Sequence, residues 1–353
     1  MTDDKEYFRI FLDSIDRMAR RGLVPSIPAL DLDPDAEGDI DLSSLLEEVG
    51  ILGLCRGGSE FSDLPSILSA VSRLSEYCAG IGAYASYRLA ADLFLKLAGM
   101  DCPAGTPALC IFDDEEFDLS SRWIPFKAVL SENGLTGRKK SVVLGGYGGP
   151  YAVLARDGNH SVLCLVEDDG DTVSVEGAGL LGARVLRVAD VAFSRAQPSS
   201  VRPVSRDQVL ALFSVLSLLT GACACATAAK SLDIAREYAR ERYQGGGLIE
   251  GHDAIKLMIE GNRAALAAAC AALLGSSEPF APGNAESMAA CFRAKAAASA
   301  AAVNAGLDAI QVLGGYGYMR DYGVEKRFRD AATLSVLPLD GTRLLLIGNT
   351  LTD

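Results

Sequence analysis

The chain has 353 residues, more than one hydrophobic core usually supports, so two or three domains are expected. Its composition, 49% apolar and 22% charged, excludes a disordered chain, and its length excludes a disulfide-stapled miniprotein. The formal charge of −13 argues against nucleic acid as a partner, because a polyanion is repelled at long range.

Helix is expected over the first hundred residues. Residues 3–21 carry Tyr7, Phe8, Ile10, Phe11, Ile15 and Met18 at the spacing of one helical face; residues 42–49 follow, then 64–97, with a break expected around Gly80 to Gly82. The stretch AGMDCPAGTP (98–107) stops the helix with two glycines and two prolines. Residues 108–193 change character to short alternating or β-branched runs (PALCIF, WIPFKAVL, SVVLGG, YAVLA, SVLCLVE, TVSVEG, ARVLRVADVAF) separated by ENG, DGN and EDDGD turns. Their close spacing predicts antiparallel sheet rather than βαβ units. SRAQPSSVRPVSR (194–206) reads as a linker, and the remainder as helix. Alanine-rich stretches at 263–274 and 294–313 allow close helix approach, either across a subunit contact or within one bundle. The expected fold is mainly α with a central β domain: an N-terminal helical domain (1–104), an antiparallel β domain (105–200) and a C-terminal four-helix bundle (201–353).

Two histidines, His160 and His252, cannot build a multi-histidine metal site, so no metal is expected. Nine scattered cysteines without a C-x-x-C pair fit buried free thiols, and the acidic start MTDDKEYF lacks the order of an export signal; together they predict a cytoplasmic protein. The run 208–229 is twenty-two uncharged residues, long enough for a hydrocarbon layer of ~30 Å. Its Ser, Thr, Gln and Gly content and the charged helix that follows favour a helix buried in a bundle, so no membrane span is expected.

Two glycine clusters carry possible chemistry. YARERYQGGGLIEGH (238–252) joins a charged helix end to three glycines and a new helix, offering backbone N–H groups and an arginine to a phosphate; a plain glycine cap between helices is the alternative. QVLGGYGY (311–318) follows a helix, and Gly314, Gly315 and Gly317 would let another molecule approach the main chain. No strand precedes it and it is not G-x-G-x-x-G, so a Rossmann dinucleotide fold is unsupported.

Together these segments resemble the acyl-CoA dehydrogenase family, whose domain order is the order read above. RYQGGGLIEGHDAI is similar to the family's R-x-x-F-G segment with its downstream His, and QVLGGYGYMRDYGVEKRFRDA to its Q-x-x-G-G-x-G-Y…V-E-K…R-D-A signature. The resemblance implies an FAD whose dinucleotide is touched by Arg242, Gln244 and His252, and whose ADP end is held by Gln311, Gly314 and Gly315 from a neighbouring subunit, with Thr342 a further cofactor contact. Two ring-binding elements depart from the pattern. In ALCIFDDEEFD (108–118) Cys110 replaces the Thr and the Gly-Ser is absent; in GRKKSVVLGG (137–146) Ser141 replaces the Trp and Val143 the hydroxyl residue, and Trp123 precedes the element. The family's base is a Glu in Y-E-G-T, and here VLPLDGTRLLL puts Asp340 before Gly341 and Thr342 if two additional residues are admitted; without that gap Pro338 takes the base position. The bundle helix offers no acid at 215–221 as a substitute.

The implied activity is FAD-dependent introduction of an α,β double bond into an acyl thioester, with Asp340 as catalytic base, electron-transfer flavoprotein as acceptor, and a homotetramer or a heteromer with a related chain. The alternatives are a non-catalytic or half-site subunit of a heteromeric dehydrogenase, or a flavin-free structural paralogue.

Overall fold

A computed structural model describes residues 2–32, 41–55, 63–103, 105–113 and 126–352. Trp123 and residues 114–118 of the first ring-binding element lie outside the described residues.

Helices come first: α1 (Thr2–Met18) running into a π-helical turn, α2 (Ile27–Leu32), α3 (Leu42–Glu48), α4 (Leu64–Tyr77) and α5 (Ala79–Leu97). Asp41 and Asp63 start α3 and α4 by accepting the N–H of Ser44 (3.1 Å) and Ser66 (2.9 Å), groups that would otherwise lack a partner. The break expected around Gly80 to Gly82 falls at Cys78, and the glycines lie in the first turn of α5. They are there for contact: a Cβ on Gly82 would stand 1.9 Å from Ser75 Oγ on α4, and one on Gly80 2.8 Å from Val185. Glycine here lets elements touch rather than ending a helix.

The middle of the chain forms one eight-stranded sheet: β1 (Ala108–Cys110), β2 (Val129–Ser131), β3 (Gly134–Val142), β4 (Tyr151–Asp157), β5 (His160–Val166), β6 (Val173–Gly177), β7 (Ala189–Ala196) and β8 (Ser200–Pro203). The order is β6-β7-β3-β2-β4-β5-β8, with β1 beside β4. The sheet is mixed where an antiparallel one was expected, since β1–β4 and β2–β4 pair in parallel. Parallel neighbours need a crossover, and the β2–β3 hairpin lies between β1 and β4 in the chain. A second correction concerns the expected linker: Ser200–Pro203 pairs antiparallel with β5 at the sheet's edge, where a terminal proline is tolerated.

The rear module begins with α6 (Arg206–Glu241), opened by a capping box in which Gln208 N–H donates to Ser205 Oγ (3.2 Å) and Ser205 N–H to Gln208 Oε1 (2.8 Å). By length and composition α6 could cross a membrane, but 94% of its most apolar window is buried inside the protein. After α6 come a two-stranded hairpin, β9 (Tyr243–Gln244) and β10 (Gly247–Leu248), then α7 (Asp253–Ser277), α8 (Ala285–Leu313), α9 (Val324–Ser335) and α10 (Gly341–Thr352). Helix α8 packs against α6, α7, α9 and α10. The outer face of α7 leaves Ala264, Ala265, Ala268, Ala271 and Ala272 exposed, an apolar surface without charge. Ala183 N–H donates to Asp330 (2.7 Å) and Gly182 N–H to Thr333 Oγ1 (3.0 Å), which ties the β domain to α9.

Candidate active site

Two cavities are lined by most of the residues singled out in the sequence. The first is a groove of about 800 Å³ between the end of α6, the β9–β10 hairpin and the end of α8. Arg242 closes the last turn of α6 through its N–H to Tyr238 O (3.0 Å), and the chain then turns extended. Gly245 and Gly246 make the hairpin turn at φ +65° and +89°, values glycine adopts without strain. Below them His252 Nε2 lies 3.0 Å from Gln244 O, and a Cβ on Gly245 would come within 3.3 Å of the imidazole, so the histidine buttresses the turn. Across the groove α8 ends at Gly314 with φ +59°, and neither Gly314 nor Gly315 has anything within 4 Å of a Cβ position. Gly317 is different: a Cβ there would meet Ile310 O at 2.5 Å, so it serves the local turn instead of opening the main chain. Tyr238 and Tyr316 line the groove and meet Tyr322 edge to face, with centroid separations of 6.0 Å between the first two and 5.8 Å from each to Tyr322.

Arg242, Gln244, His252, Gln311, Gly314 and Gly315 therefore all line one groove, although some seventy residues separate the two segments that supply them. The Arg242 guanidinium is exposed and has no hydrogen bond or ion pair among the described residues. A free guanidinium facing uncovered backbone is the donor set a pyrophosphate requires.

The second cavity, about 600 Å³, lies between the β domain, Tyr87 of α5 and the loop 336–340 that joins α9 to α10. Leu109, Ile111, Ser141 and Val143 line it, so both altered ring-binding elements do border a common space. Ser141 sits at a register shift between β3 and β7 with φ +49°, and its N–H donates to Asp190 (2.9 Å). A bulge at this place turns the strand over the cavity. Cys110 is fully buried, and burial pushes its thiol pKa up, so it offers a neutral weak donor where the family has a hydroxyl.

Asp340 is on this cavity's wall, with its side chain 43% exposed. Its Oδ1 accepts the N–H groups of Thr342 (3.0 Å) and Arg343 (3.1 Å), capping α10, and its Oδ2 lies 3.6 Å from Arg343 Nε. Thr342 is exposed in the first turn of α10 and lines neither cavity. Pro338, the base position without the gap, is buried and carries no acid.

Sequence reasoning did not pick out what lies under the second cavity. Lys139 is fully buried, pairs with Asp113 at 2.8 Å, donates to Ile111 O at 3.1 Å and sits 4.9 Å from the Phe126 ring. Burial lowers its pKa and Asp113 opposes that shift. Asp113 also accepts Lys127 N–H (3.0 Å) and Ala128 N–H (3.3 Å), so one carboxylate fixes the approach to β2 beneath the cavity wall. The basic run Arg138-Lys139-Lys140 inside a strand was the available signal. The Arg329-Asp330 pair of the signature also proves structural: Arg329 makes a two-pronged contact to Asp31 (3.0 and 2.7 Å) while Asp330 holds the β domain.

Residues 207–343 match the family model "Acyl-CoA dehydrogenase, C-terminal domain". Over 94% of this chain, and 93% of the relative, the sequence is 26% identical to cyclohexane-1-carbonyl-CoA dehydrogenase of Geobacter metallireducens. The rear part of the chain therefore matches the acyl-CoA dehydrogenase family's C-terminal domain, and nearly the whole chain is similar in sequence to one such dehydrogenase. The fold of the chain is similar to that of butyryl-CoA dehydrogenase from Megasphaera elsdenii, with a TM-score of 0.81 at 18% identity over 97% of each chain. It is also similar to an acyl-CoA dehydrogenase from Bacillus anthracis solved with FAD, with a TM-score of 0.82 at 17% identity over 96% of this chain and 66% of that one.

Proposed function

We propose that the chain belongs to the acyl-CoA dehydrogenase family and carries out, alone or as one subunit of a heteromer, FAD-dependent dehydrogenation of an acyl-CoA thioester. The carrying observation is the groove, in which residues of two separate motifs present an unengaged guanidinium and two uncovered glycines. Its residues fit a dinucleotide: Arg242 would neutralise the pyrophosphate, Gly314 and Gly315 would admit the ADP end against bare backbone, Gln311 and Gln244 would supply polar contacts, and His252 would keep the hairpin in shape. When bound, FAD supplies the acceptor for the substrate's β-hydride. The chain's own part at the second cavity is to hold the thioester between apolar walls and to take its α-proton on the Asp340 carboxylate. Aspartate reaches one methylene less far than glutamate, so the loop 336–340 must bring the substrate close. Thr342 keeps its expected cofactor role only if a neighbouring copy or a bound flavin extends over the start of α10. By resemblance, electron-transfer flavoprotein is the acceptor of the electrons. The exposed alanine face of α7 supports a homotetramer or a contact with a related chain.

A second reading, that of a half-site subunit, draws support from Asp340, whose carboxylate already caps α10, and from Cys110 and Val143 in place of ring-binding hydroxyls. Purification decides between the two. Chain isolated alone that is yellow and bleaches on addition of saturated acyl-CoAs supports the self-sufficient enzyme. A colourless chain that gains flavin only with a co-expressed relative supports the half-site subunit. A chain that takes up no flavin in either setting, or whose flavin content is unchanged in Arg242→Gln, overturns the proposal.

A further inference from the structure

A third cavity, of about 450 Å³, is used by neither proposed half of the flavin site. It is bounded by the end of α1, α4, the middle of α6 and the start of α9, and its walls carry five cationic side chains against three carboxylates. That surplus stands out in a chain with 33 basic and 46 acidic residues. The carboxylates are already engaged. Asp16 lies 3.5 Å from Arg73 and accepts from Tyr77 Oη at 3.0 Å, Glu76 lies 3.4 Å from Arg73, and Asp330 lies 2.6 Å from Lys326.

Arg327, Arg20 and Lys230 remain. Arg327 donates through Nη1 only, to Glu76 O (2.8 Å) and Thr227 Oγ1 (3.4 Å), and no carboxylate pairs with it among the described residues. Burial pushes its pKa below the usual guanidinium value, and the nearby Cys78, Asp330 and Glu76 oppose that shift without outweighing it. Among the described residues Arg20 donates only to Tyr77 Oη (3.3 Å), and Lys230 is exposed without an ion pair. A cation kept in a cavity without its counter-charge is costly unless an anion completes it.

We propose that this cavity is a binding site for a phosphate group, held by Arg327 from within and by Arg20 and Lys230 at the mouth. The planar guanidinium gives the directional donors, and the two flexible cations supply charge. The site is independent of the flavin proposal, since it shares no lining residue with either of the other cavities.

The test is thermal unfolding of the full chain, carrying whatever flavin it retains, titrated with inorganic phosphate against potassium chloride of equal ionic strength. A saturable rise in Tm with phosphate is expected in the parent protein. Arg327→Gln weakens the apparent phosphate affinity about tenfold and Lys230→Gln about threefold, while Arg242→Gln leaves it unchanged. Lys230 is exposed, so its variant decides the matter even if Arg327→Gln does not fold. Stabilisation that is linear in phosphate and equal in all variants is general exclusion of the salt from the surface and overturns the proposal. So does a phosphate effect lost only in Arg242→Gln, which would place the anion in the flavin groove.

Discussion

Replacing Lys295 with methionine should stabilise this protein at neutral pH, an outcome that runs against the usual cost of core substitution. Lys295 is fully buried in α8, its Nζ donates to Leu334 O at 2.8 Å, and no carboxylate pairs with it among the described residues. Burial pushes its pKa down from 10.5 to about 7, with the Cys225 and Cys223 thiols opposing the shift. Between pH 7 and 10.5 the unfolded chain therefore binds a proton that the folded chain has lost, and stability from this group rises with pH across that window. Below pH 7 the full penalty is present. At ~1.4 kcal/mol per pKa unit it amounts to about 5 kcal/mol. Methionine has a similar length and removes this penalty, but it leaves Leu334 O without its donor, which costs about 1–3 kcal/mol. The net gain expected for Lys295→Met is about 2–4 kcal/mol at pH 6, shrinking to nothing and then reversing towards pH 10. Urea unfolding of both proteins at pH 6, 7.5 and 9 measures the difference, in which the ionisation of all other groups cancels. A stability gap that does not change with pH, or a variant less stable at pH 6, would refute the assignment of a desolvated amine to this position.

Three other outcomes follow from the geometry. Asp340→Asn should abolish acyl-CoA-dependent reduction while changing stability by only a few tenths of a kcal/mol, because asparagine caps a helix as well as aspartate does; retained turnover would remove Asp340 from the base position. Lys139→Met leaves the Asp113 carboxylate without its cation beneath the second cavity and should cost about 3–5 kcal/mol in chemical denaturation, with Lys139→Met/Asp113→Asn, which keeps an acceptor for Lys127 and Ala128 N–H, recovering part of it. Gly82→Ala drives a methyl onto Ser75 Oγ and should lower stability by about 1–3 kcal/mol; Ser75→Ala in the same chain should restore part of that loss, and no recovery would point to a different obstruction.

What could be read in advance divides along a physical line. The order of helix, sheet and helix follows from local periodicity and from turns such as Asp157-Gly158-Asn159, where Gly158 has φ +55° between two paired strands. The groove residues were legible through the resemblance of two motifs, RYQGGGLIEGH and QVLGGYGY, whereas which glycines are uncovered is decided by the fold. Gly80 and Gly82 were misread because glycine has two uses, ending a helix and letting another element touch it, and the partners Val185 and Ser75 that decide between them are supplied by the fold. Ser200–Pro203 looked like a linker because two prolines and several serines outweigh a strand that exists only through its pairing with β5. The parallel placement of β1 has the same origin, since it depends on pairing with a strand some forty residues away. Lys139 and Lys295 are both fully buried, and what separates them is the carboxylate of Asp113, which the fold places beside Lys139 and not beside Lys295.

The separation of the two proposed flavin cavities has a consequence that mixing experiments can measure. The groove and the second cavity share no lining residue, so a flavin whose two ends occupy one of each could take them from the same chain or from neighbouring copies. If copies share the cofactor, Arg242→Gln and Asp340→Asn damage opposite halves of each site. Each variant alone should then be inactive. In oligomers reassembled from equal amounts of the two, about a quarter of the sites would draw an intact Arg242 from one copy and an intact Asp340 from another, and activity should return to about a quarter of the parent's. A site built within one chain allows no such recovery, because every chain carries one lesion. Recovery would therefore place the two halves on different copies, and its absence in verified mixed oligomers would confine both to one chain.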